Sequence, residues 1–313
     1  MRAAVVTAFD KPPCYREFAT PTPQTPDEVL VDVVAAGLHR RVRSQADGSH
    51  YTSSGELPLV PGVDGVGRTP DGALRYFVLS DNAVGTMAEQ TVIDLRRSVV
   101  LPGDTDAVLV AAAMNPVMSS WVALRRRINF EAGQTVLVLG ATGGAGRTAV
   151  QVAKHLGASL VIGAGRNPHR LATLAGIGAD VVVSLDRADE LAEAAGDVDV
   201  VVDYVWGPVT AGVMAGIVTG RSDRGKPLTW IEIGSVAGGS AEIPSAALRA
   251  ARLQIVGSGQ GSVPTRDVLA ELPEIAAEIT SGAFDIDARA VPLAEVETAW
   301  GDTETTQRIV FTP

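Results

Sequence analysis

Cysteine occurs once in the 313 residues, at Cys14. A single thiol allows no intrachain disulfide and no cysteine-based zinc cluster, so disulfide scaffolds and zinc ribbons are excluded. Positive charge is also short: 26 Lys and Arg stand against 36 Asp and Glu, a formal net charge of −10. A surface of that sign repels nucleic-acid phosphates and anionic membranes as a whole, although one local basic pocket can still hold one anion. No uninterrupted apolar run reaches the roughly 18 residues of a membrane span. The opening "MRAAVVTAFDKPP" passes straight into a strand-like pattern without a small-residue cleavage site, so no signal peptide is expected. The default these absences leave is a cytoplasmic enzyme with no nucleic-acid or membrane partner.

Apolar residues make up 46% of the chain, in alternating Val-rich and Ala-rich runs, which is the texture of an α/β protein. Residues 1 to about 115 carry short β-type runs ("RAAVVTA", "EVLVDVVAAG", "LRYFVLS", "AEQTVIDL") between Pro/Gly-rich turns, the pattern of an irregular antiparallel barrel or sandwich. Residues 116–282 then alternate strand and helix. The strand runs are "TVLVLG", "SLVIGAG", "DVVVSL", "DVVVDYV", "LTWIEIG" and "LQIVGSG", with "GRTAVQVAKHLG" and "PHRLATLAGIG" among the helices. Near-continuous Val/Ile strands joined by amphipathic helices predict a doubly wound parallel sheet covered on both faces. Residues 283–313 end in "RIVF", a strand expected to fold back onto the first domain.

The segment "TVLVLGATGGAGRTAVQVAKHLG" is the most informative. Its Ala141-x-Gly143-x-x-Gly146 spacing, with Gly144 as an extra, lies between a strand and a helix. A tight turn, a backbone that approaches a pyrophosphate and a helix packed close to its strand each favour a missing Cβ. Gly143, Gly144, Ala145 and Gly146 would then offer N–H groups to the anion at the helix N-terminus. The next strand should end, about twenty residues on, in an Asp or Glu that holds the ribose of NAD. Here it ends Gly163-Ala164-Gly165 and is followed by Arg166, Asn167 and, one turn later, Arg170. Guanidinium groups there fit a 2′-phosphate, so the expected cofactor is NADP(H). Asn167 and Pro168 also read as an N-cap and first helical residue, which would place the arginines.

A short-chain dehydrogenase needs a catalytic Tyr with Lys four residues on. Tyr15, Tyr51, Tyr76 and Tyr204 are followed at that spacing by Ala19, Gly55, Ser80 and Pro208, so that family is excluded. The chain instead resembles the medium-chain dehydrogenase/reductases, specifically the zinc-free quinone oxidoreductase (zeta-crystallin-like) branch. The matching stretches are "VAAGLH", "LPLVPGVDGVG", "GTMAEQTVI", "NPVMSSWVALRRRINFEAGQTVLVLGATGGAG", "AEVETAW" and "QIVGSGQGS". The resemblance implies a GroES-like catalytic domain (1–115 and 283–313), a Rossmann-type cofactor domain (116–282), a cleft between them and a homodimer paired along the last cofactor-domain strand. It also implies a longer β excursion than this chain has between "DGVGRTPDG" and "GTMAEQ". Zinc alcohol dehydrogenases of the superfamily carry an early Cys, a Gly-His-Glu and a later Cys or Asp. His39, Val63-Asp64 and "MNPVMSSW" stand at those places, which is no tetrahedral ligand set, so no catalytic zinc is expected.

The same resemblance places Asn115 and Ser119, Gly234 and Ser235, and Ser258 and Gly259 against the cofactor, together with Arg308. His39 occupies a position where the branch usually has an Asn near the nicotinamide ribose; it reads equally as a cofactor ligand, a proton donor or a half-buried loop residue. Tyr51, beside His50, matches a loop bordering the substrate cleft and reads as a donor to substrate oxygen or as wall. The run Arg40 to Arg43 reads as a solvated face or as a feature favouring an acidic substrate. Without zinc or a Tyr-Lys pair, the chemistry that remains is hydride transfer to acceptors needing little acid catalysis: quinones, or the alkene of an α,β-unsaturated carbonyl. A non-catalytic NADPH-binding or redox-sensing protein is the alternative.

Overall fold

The computed structural model describes residues 1–81, 83–302 and 307–313. The chain divides into two units, one of Met1–Asn115 with Leu272–Pro313 and the other of Pro116–Glu271. The first crossing lies between Asn115 and Pro116. The second falls at Leu272 rather than 283, because the chain passes between units inside a continuous helix and not at the turn that ends it.

The first unit opens with β1 (Arg2–Val5) and β2 (Cys14–Glu17), an antiparallel pair. The long β3 (Glu28–Gly37) leads through His39 into α1 (Arg40–Ala46). Strands β4 (Asp64–Arg68), β5 (Leu74–Val78), β6 (Gln90–Asp94) and β7 (Ser98–Val100) follow. Strands β3 to β7 pair antiparallel, with β6 on β3 and an irregularity between Val33 and Ala35 where β3 meets β4. Alternation along β3 sends Val31, Val33 and Ala35 inward, and Ala4, Val33, Ala36, Val42 and Met87 share one apolar cluster.

Helix α2 (Ala107–Val122) then runs on through a wider turn over Ala123–Arg127. Together they make 21 residues, long and apolar enough to cross a membrane by length and composition, although the sequence shows no uninterrupted run of that kind. Polar Asn115, Ser119 and Ser120 and the internal Pro116 break the run, and 67% of its most apolar stretch is buried in the protein, the condition of a core helix.

The second unit alternates β8 (Thr135–Leu139), α3 (Gly144–His155), β9 (Leu160–Gly165), α4 (Pro168–Leu171), β10 (Val181–Ser184), α5 (Ala188–Ala195), β11 (Val200–Asp203), α6 (Gly207–Gly220), β12 (Leu228–Glu232), α7 (Ser245–Ala250) and β13 (Leu253–Gly257). Helix α8 (Thr265–Thr280) follows. All six expected strands form, in the order β10-β9-β8-β11-β12-β13 and parallel throughout. Leu137, Leu139, Ile162, Val201, Met214, Ile217 and Trp230 pack one core beneath it. The stretch "PHRLATLAGIG" is less helical than its pattern predicts. It keeps only α4 and a single tight turn at Ala175–Ile177, because Gly178 adopts φ +106° and ends it.

The chain returns to the first unit through β14 (Ala288–Pro292), α9 (Val296–Trp300) and β15 (Arg308–Thr312). Strand β15 lies between β14, to which it is parallel, and β3, to which it is antiparallel through Val310–Gly37 and Phe311–Ala36.

One buried group sets the exit of β11. The Asp203 side chain is fully buried, and its Oδ1 accepts from the backbone N–H of Val205 (2.7 Å) and Trp206 (3.0 Å). Its Oδ2 accepts from Thr210 Oγ1 (2.6 Å) and Trp230 Nε1 (2.9 Å). Removing an acceptor of this kind strands several buried donors, each at about 1–3 kcal/mol. Asp203→Ala is therefore expected to destabilise the fold by about 3 kcal/mol or more, read as a lower urea midpoint; an unchanged midpoint overturns the assignment.

Candidate active site

The strand order reverses its direction of winding between β8 and β11, and ligands of open α/β sheets bind at the carboxyl ends there. At that point β8 is followed by Gly140 at φ +86°, a conformation that favours glycine, and the chain turns through Thr142 into α3. A Cβ on Gly146 would lie 2.1 Å from the Gly140 oxygen, so the helix packs on the turn only with glycine there. Ala141, where the motif usually has its first glycine, is buried without strain because Gly140 takes the positive φ in its place. The first helical bond is Arg147 N–H to Gly143 O (2.9 Å). The N–H groups of Gly144, Ala145 and Gly146 precede it, and no side chain caps them. With Gly143 and Gly144 exposed, the turn is a cradle of backbone donors for an anion such as a pyrophosphate.

Beyond β9, Asn167 caps α4 by accepting from Arg170 N–H (3.0 Å), with Pro168 at the first helical position, as its sequence predicts. Arg170 Nη1 donates to Thr142 O (3.1 Å), which ties its guanidinium to the glycine turn. Arg147, a residue the sequence reading passes over, donates from Nη1 to Thr173 Oγ1 (2.5 Å), and Thr173 in turn donates to Arg170 O. Arg166 is exposed and stands 3.5 Å from the exposed Asp186 carboxylate at the end of β10. The acid missing from the end of β9 is thus supplied one strand further on, as a partner to the arginine.

Past the end of β11, Ser119 Oγ lies 2.8 Å from the Tyr204 hydroxyl and 3.1 Å from Pro116 O. Asn115 is half-buried one helical turn before Ser119 on α2. Gly234 and the exposed Ser235 follow β12, with Gly234 N–H given to Asp203 O (3.2 Å). Ser258 and Gly259 follow β13, and their amides are already engaged, by Glu232 O (2.7 Å) and Ser262 Oγ (2.8 Å). Ser235 borders an open hollow of about 340 Å³ with Trp206, Glu232 and Ile255. Burial, with Asp203 nearby, holds the Glu232 carboxyl above the ordinary range.

In the first unit His39 is buried, not half-buried. Its Nε2 lies 3.5 Å from Asp64 Oδ1, and neither ring nitrogen makes a hydrogen bond. Asp64 Oδ2 accepts from the buried Tyr76 hydroxyl (2.9 Å). Arg308 Nη1 donates to Leu38 O (3.3 Å), and burial lowers its pKa against the opposing pull of Asp64. Tyr51 is 69% exposed and its ring rests on that of His50, 4.3 Å between centroids. The Arg40 to Arg43 run is not a solvated face. Only Arg40 is exposed; Arg41 reaches Thr52 Oγ1 (2.8 Å), and Arg43 donates to Trp300 O, because α1 buries Val42 and Ala46 and draws its flanks in. Among the described residues no three His, Cys, Asp or Glu side chains converge as a metal-binding group.

Residues 144–277 match a family model described as "Zinc-binding dehydrogenase"; that stretch contains His155 and His169 and no cysteine. Over 100% of both chains, the sequence is 33% identical to the probable NADPH-dependent quinone reductase tdiC of Emericella nidulans. The chain belongs to the medium-chain dehydrogenase/reductase superfamily, in its quinone oxidoreductase branch. A further member, the chloroplastic NADPH-dependent alkenal/one oxidoreductase of Arabidopsis thaliana, is 26% identical over 67% of this chain and 63% of its own length. Among solved structures, the quinone oxidoreductase of Thermus thermophilus, determined also in complex with NADPH, superposes with a TM-score of 0.84 at 22% identity and 100% coverage of both chains. That likeness shows the two-domain α/β fold of the superfamily.

Burial and the Arg41 cation together push His50 down to about 4. Its folded pKa lies below its unfolded value of about 6.5, so the unfolded chain binds the proton first and stability falls as pH drops from about 6.5 to 4. The His50 ring resonances are expected to titrate with a midpoint near 4, with the Tyr51 turn losing order over the same window; a midpoint near 6.5 overturns the half-buried placement beside Arg41.

Proposed function

We propose that this protein is an NADPH-dependent reductase that passes hydride to a quinone or to the C=C of an α,β-unsaturated carbonyl. The observation that carries the reading is the uncapped glycine cradle at the start of α3, with Arg147, Arg166 and Arg170 gathered at its adenosine side. The names of the full-length relative and of the alkenal/one oxidoreductase support the same cofactor and acceptor class.

Bound there, NADPH supplies the hydride. The N–H groups of Gly144, Ala145 and Gly146 would hold the pyrophosphate, favoured by the helix dipole, while Gly143, whose own N–H is given to Gly140 O (2.9 Å), would contribute its close backbone approach. Arg166 and Arg170, placed by the Asn167 cap, hold the 2′-phosphate with charge-assisted bonds. Ser119, Gly234, Ser235, Ser258 and Gly259 belong to the nicotinamide end, and the last two contribute through carbonyl or hydroxyl groups because their amides are occupied. Asn115 and Arg308 are assigned to the cofactor, and His39 and Tyr51 to proton delivery, by family position alone. The reaction proceeds without zinc, since hydride transfer to a polarised alkene or quinone needs only alignment and a hydrogen bond to the developing oxyanion. Strand β13 is an edge of the parallel sheet, which suits it to pair across a twofold in a homodimer. The protein is placed in the cytoplasm, with a small-molecule substrate and neither nucleic acid nor membrane as partner.

Arg166→Ala is expected to weaken NADPH binding by about 1–3 kcal/mol and NADH binding little; equal wild-type affinity for both nucleotides rules the assignment out. Stereospecifically deuterated NADPH should leave its label in the reduced product of an active quinone or enone. A panel of both acceptor classes without turnover or label transfer would favour the non-catalytic binding protein instead. Tyr51→Phe and His39→Ala test the two donors separately: loss of a group that stabilises transition-state charge lowers kcat by roughly 10²-fold, and no change in either variant makes water the proton source. Light scattering at micromolar concentration is expected to give a dimer, and elemental analysis of chelator-free protein no stoichiometric zinc; a monomer or a bound zinc refutes the corresponding assignment.

A further inference from the structure

We propose that the hollow at the carboxyl ends of β12 and β13 is a binding site for a cationic aromatic ring of the pyridinium class, with Glu232 as its counter-charge. The site lies within the second unit and uses no residue of the glycine motif.

The hollow, about 340 Å³ and open, is lined by Trp206, Glu232, Ser235, Gly239 and the end of β13. Glu232 is the last residue of β12 and stands level with Gly257 in the parallel register. A Cβ on Gly257 would lie 3.9 Å from Glu232 Oε2, so the carboxyl leans across toward the end of β13. Gly257 is exposed and has no side chain to cover that oxygen.

The carboxyl is half-buried, yet among the described residues it has no hydrogen bond and no ion pair. Arg127, which reaches this strand end, gives its Nε to Gly257 O (2.6 Å) and does not pair with Glu232. The buried carboxylates of the same unit are unlike it. Asp203 accepts four hydrogen bonds, and Glu271 accepts from Trp121 and Arg126. Burial, and then the Asp203 charge, raise the Glu232 pKa, so its ionised form is costly and a cation beside it offsets the cost.

The walls decide the kind of cation. Trp206, Ile255 and Val256 are apolar and only partly buried, which suits a ligand with a flat apolar body. A metal ion gains nothing from such walls, and no metal-binding group forms among the described residues. A cationic ring gains charge pairing with Glu232 and cation–π attraction at Trp206.

Two sources supply such a ring. One is the oxidised nicotinamide of the cofactor proposed above, because Ser235, assigned there to the nicotinamide end, borders the hollow. Loss of hydride from C4 to the acceptor carbon takes that ring from neutral to a single positive charge. The acceptor takes both electrons and, with one proton from water, becomes the reduced product. A carboxylate in this place favours the ring after transfer over the ring before it. The other source is a free pyridinium ligand.

Glu232→Gln in the full chain removes the charge, keeps the shape and breaks no bond. Dissociation constants of wild type and variant are measured by NMR titration for two pairs of probes that differ in ring charge. One pair is 1-methylnicotinamide and neutral nicotinamide; the other is NADP⁺ and NADPH. Affinity for the charged member, relative to its neutral partner, is expected to fall about three- to tenfold in the variant, the scale of one charge pair at a partly buried site. A fall in the nucleotide pair assigns the hollow to the cofactor's own ring. A fall confined to the free-ring pair assigns it to a separate pyridinium ligand, and either result supports the site. If neither ratio moves, the proposal is overturned, and an equal loss for all four probes marks Glu232 as merely structural. Failure of the wild type to bind either nucleotide defeats the NADPH reading, and the free-ring pair then decides the hollow by itself.

Discussion

Asp203 holds the exit of β11 in a shape that its sequence alone would not adopt. Trp206 takes φ +52°, a region bulky residues avoid at a cost of about 1–3 kcal/mol. Four hydrogen bonds to one buried carboxylate, at about 0.5–1.5 kcal/mol each and more for charged groups, outweigh that strain. Two come from the strained turn itself, one from α6 and one from Trp230 on the neighbouring strand. The turn, the helix after it and β12 are thereby locked to one point. Tyr204 sits inside this lock, and its backbone oxygen is 3.4 Å from the Val236 N–H of the loop beyond β12. The glycine turn is pre-shaped by its own geometry. The loop after β11 is shaped by a buried carboxylate instead.

The parts legible in the sequence are those that depend on neighbours along the chain. Runs of Val and Ile, a strand breaking into glycines, and Asn-Pro before a short helix all state their conformation locally, and the six parallel strands and the Asn167 cap follow from them. The illegible parts depend on partners distant in sequence. Asp186 reaches Arg166 only because β10 lies beside β9, and Arg147 meets Thr173 across the start of α3. Tyr204 is 85 residues from the serine it bonds, so no spacing could mark it. The reading of "RRVR" failed for a related reason. Charge in a short run suggests solvent, yet α1 is a seven-residue helix whose two buried residues leave little of its surface free.

Family membership and residue chemistry bear on different questions in this molecule. The matched family model is described by zinc binding, yet the stretch it covers, residues 144–277, contains no cysteine, and the buried polar groups of the first unit lie outside it. His39 and Asp64 approach to 3.5 Å without a hydrogen bond, and Tyr76 occupies the second carboxylate oxygen. The His39 ring packs on Gly37, where a Cβ would come within 2.6 Å of the imidazole. These groups form a packed polar interior of the first unit.

The place of β15 has a consequence for synthesis. All of Pro116–Glu271 leaves the ribosome before the strand that must enter between β14 and β3 has been made. Domains generally fold as units while the chain is elongating. The cofactor unit can therefore complete its sheet during translation, whereas the unit translated first waits with β3 unpaired along that side. The Ala36 and Gly37 edge that later receives Phe311 and Val310 is then the surface a nascent-chain chaperone has reason to cover.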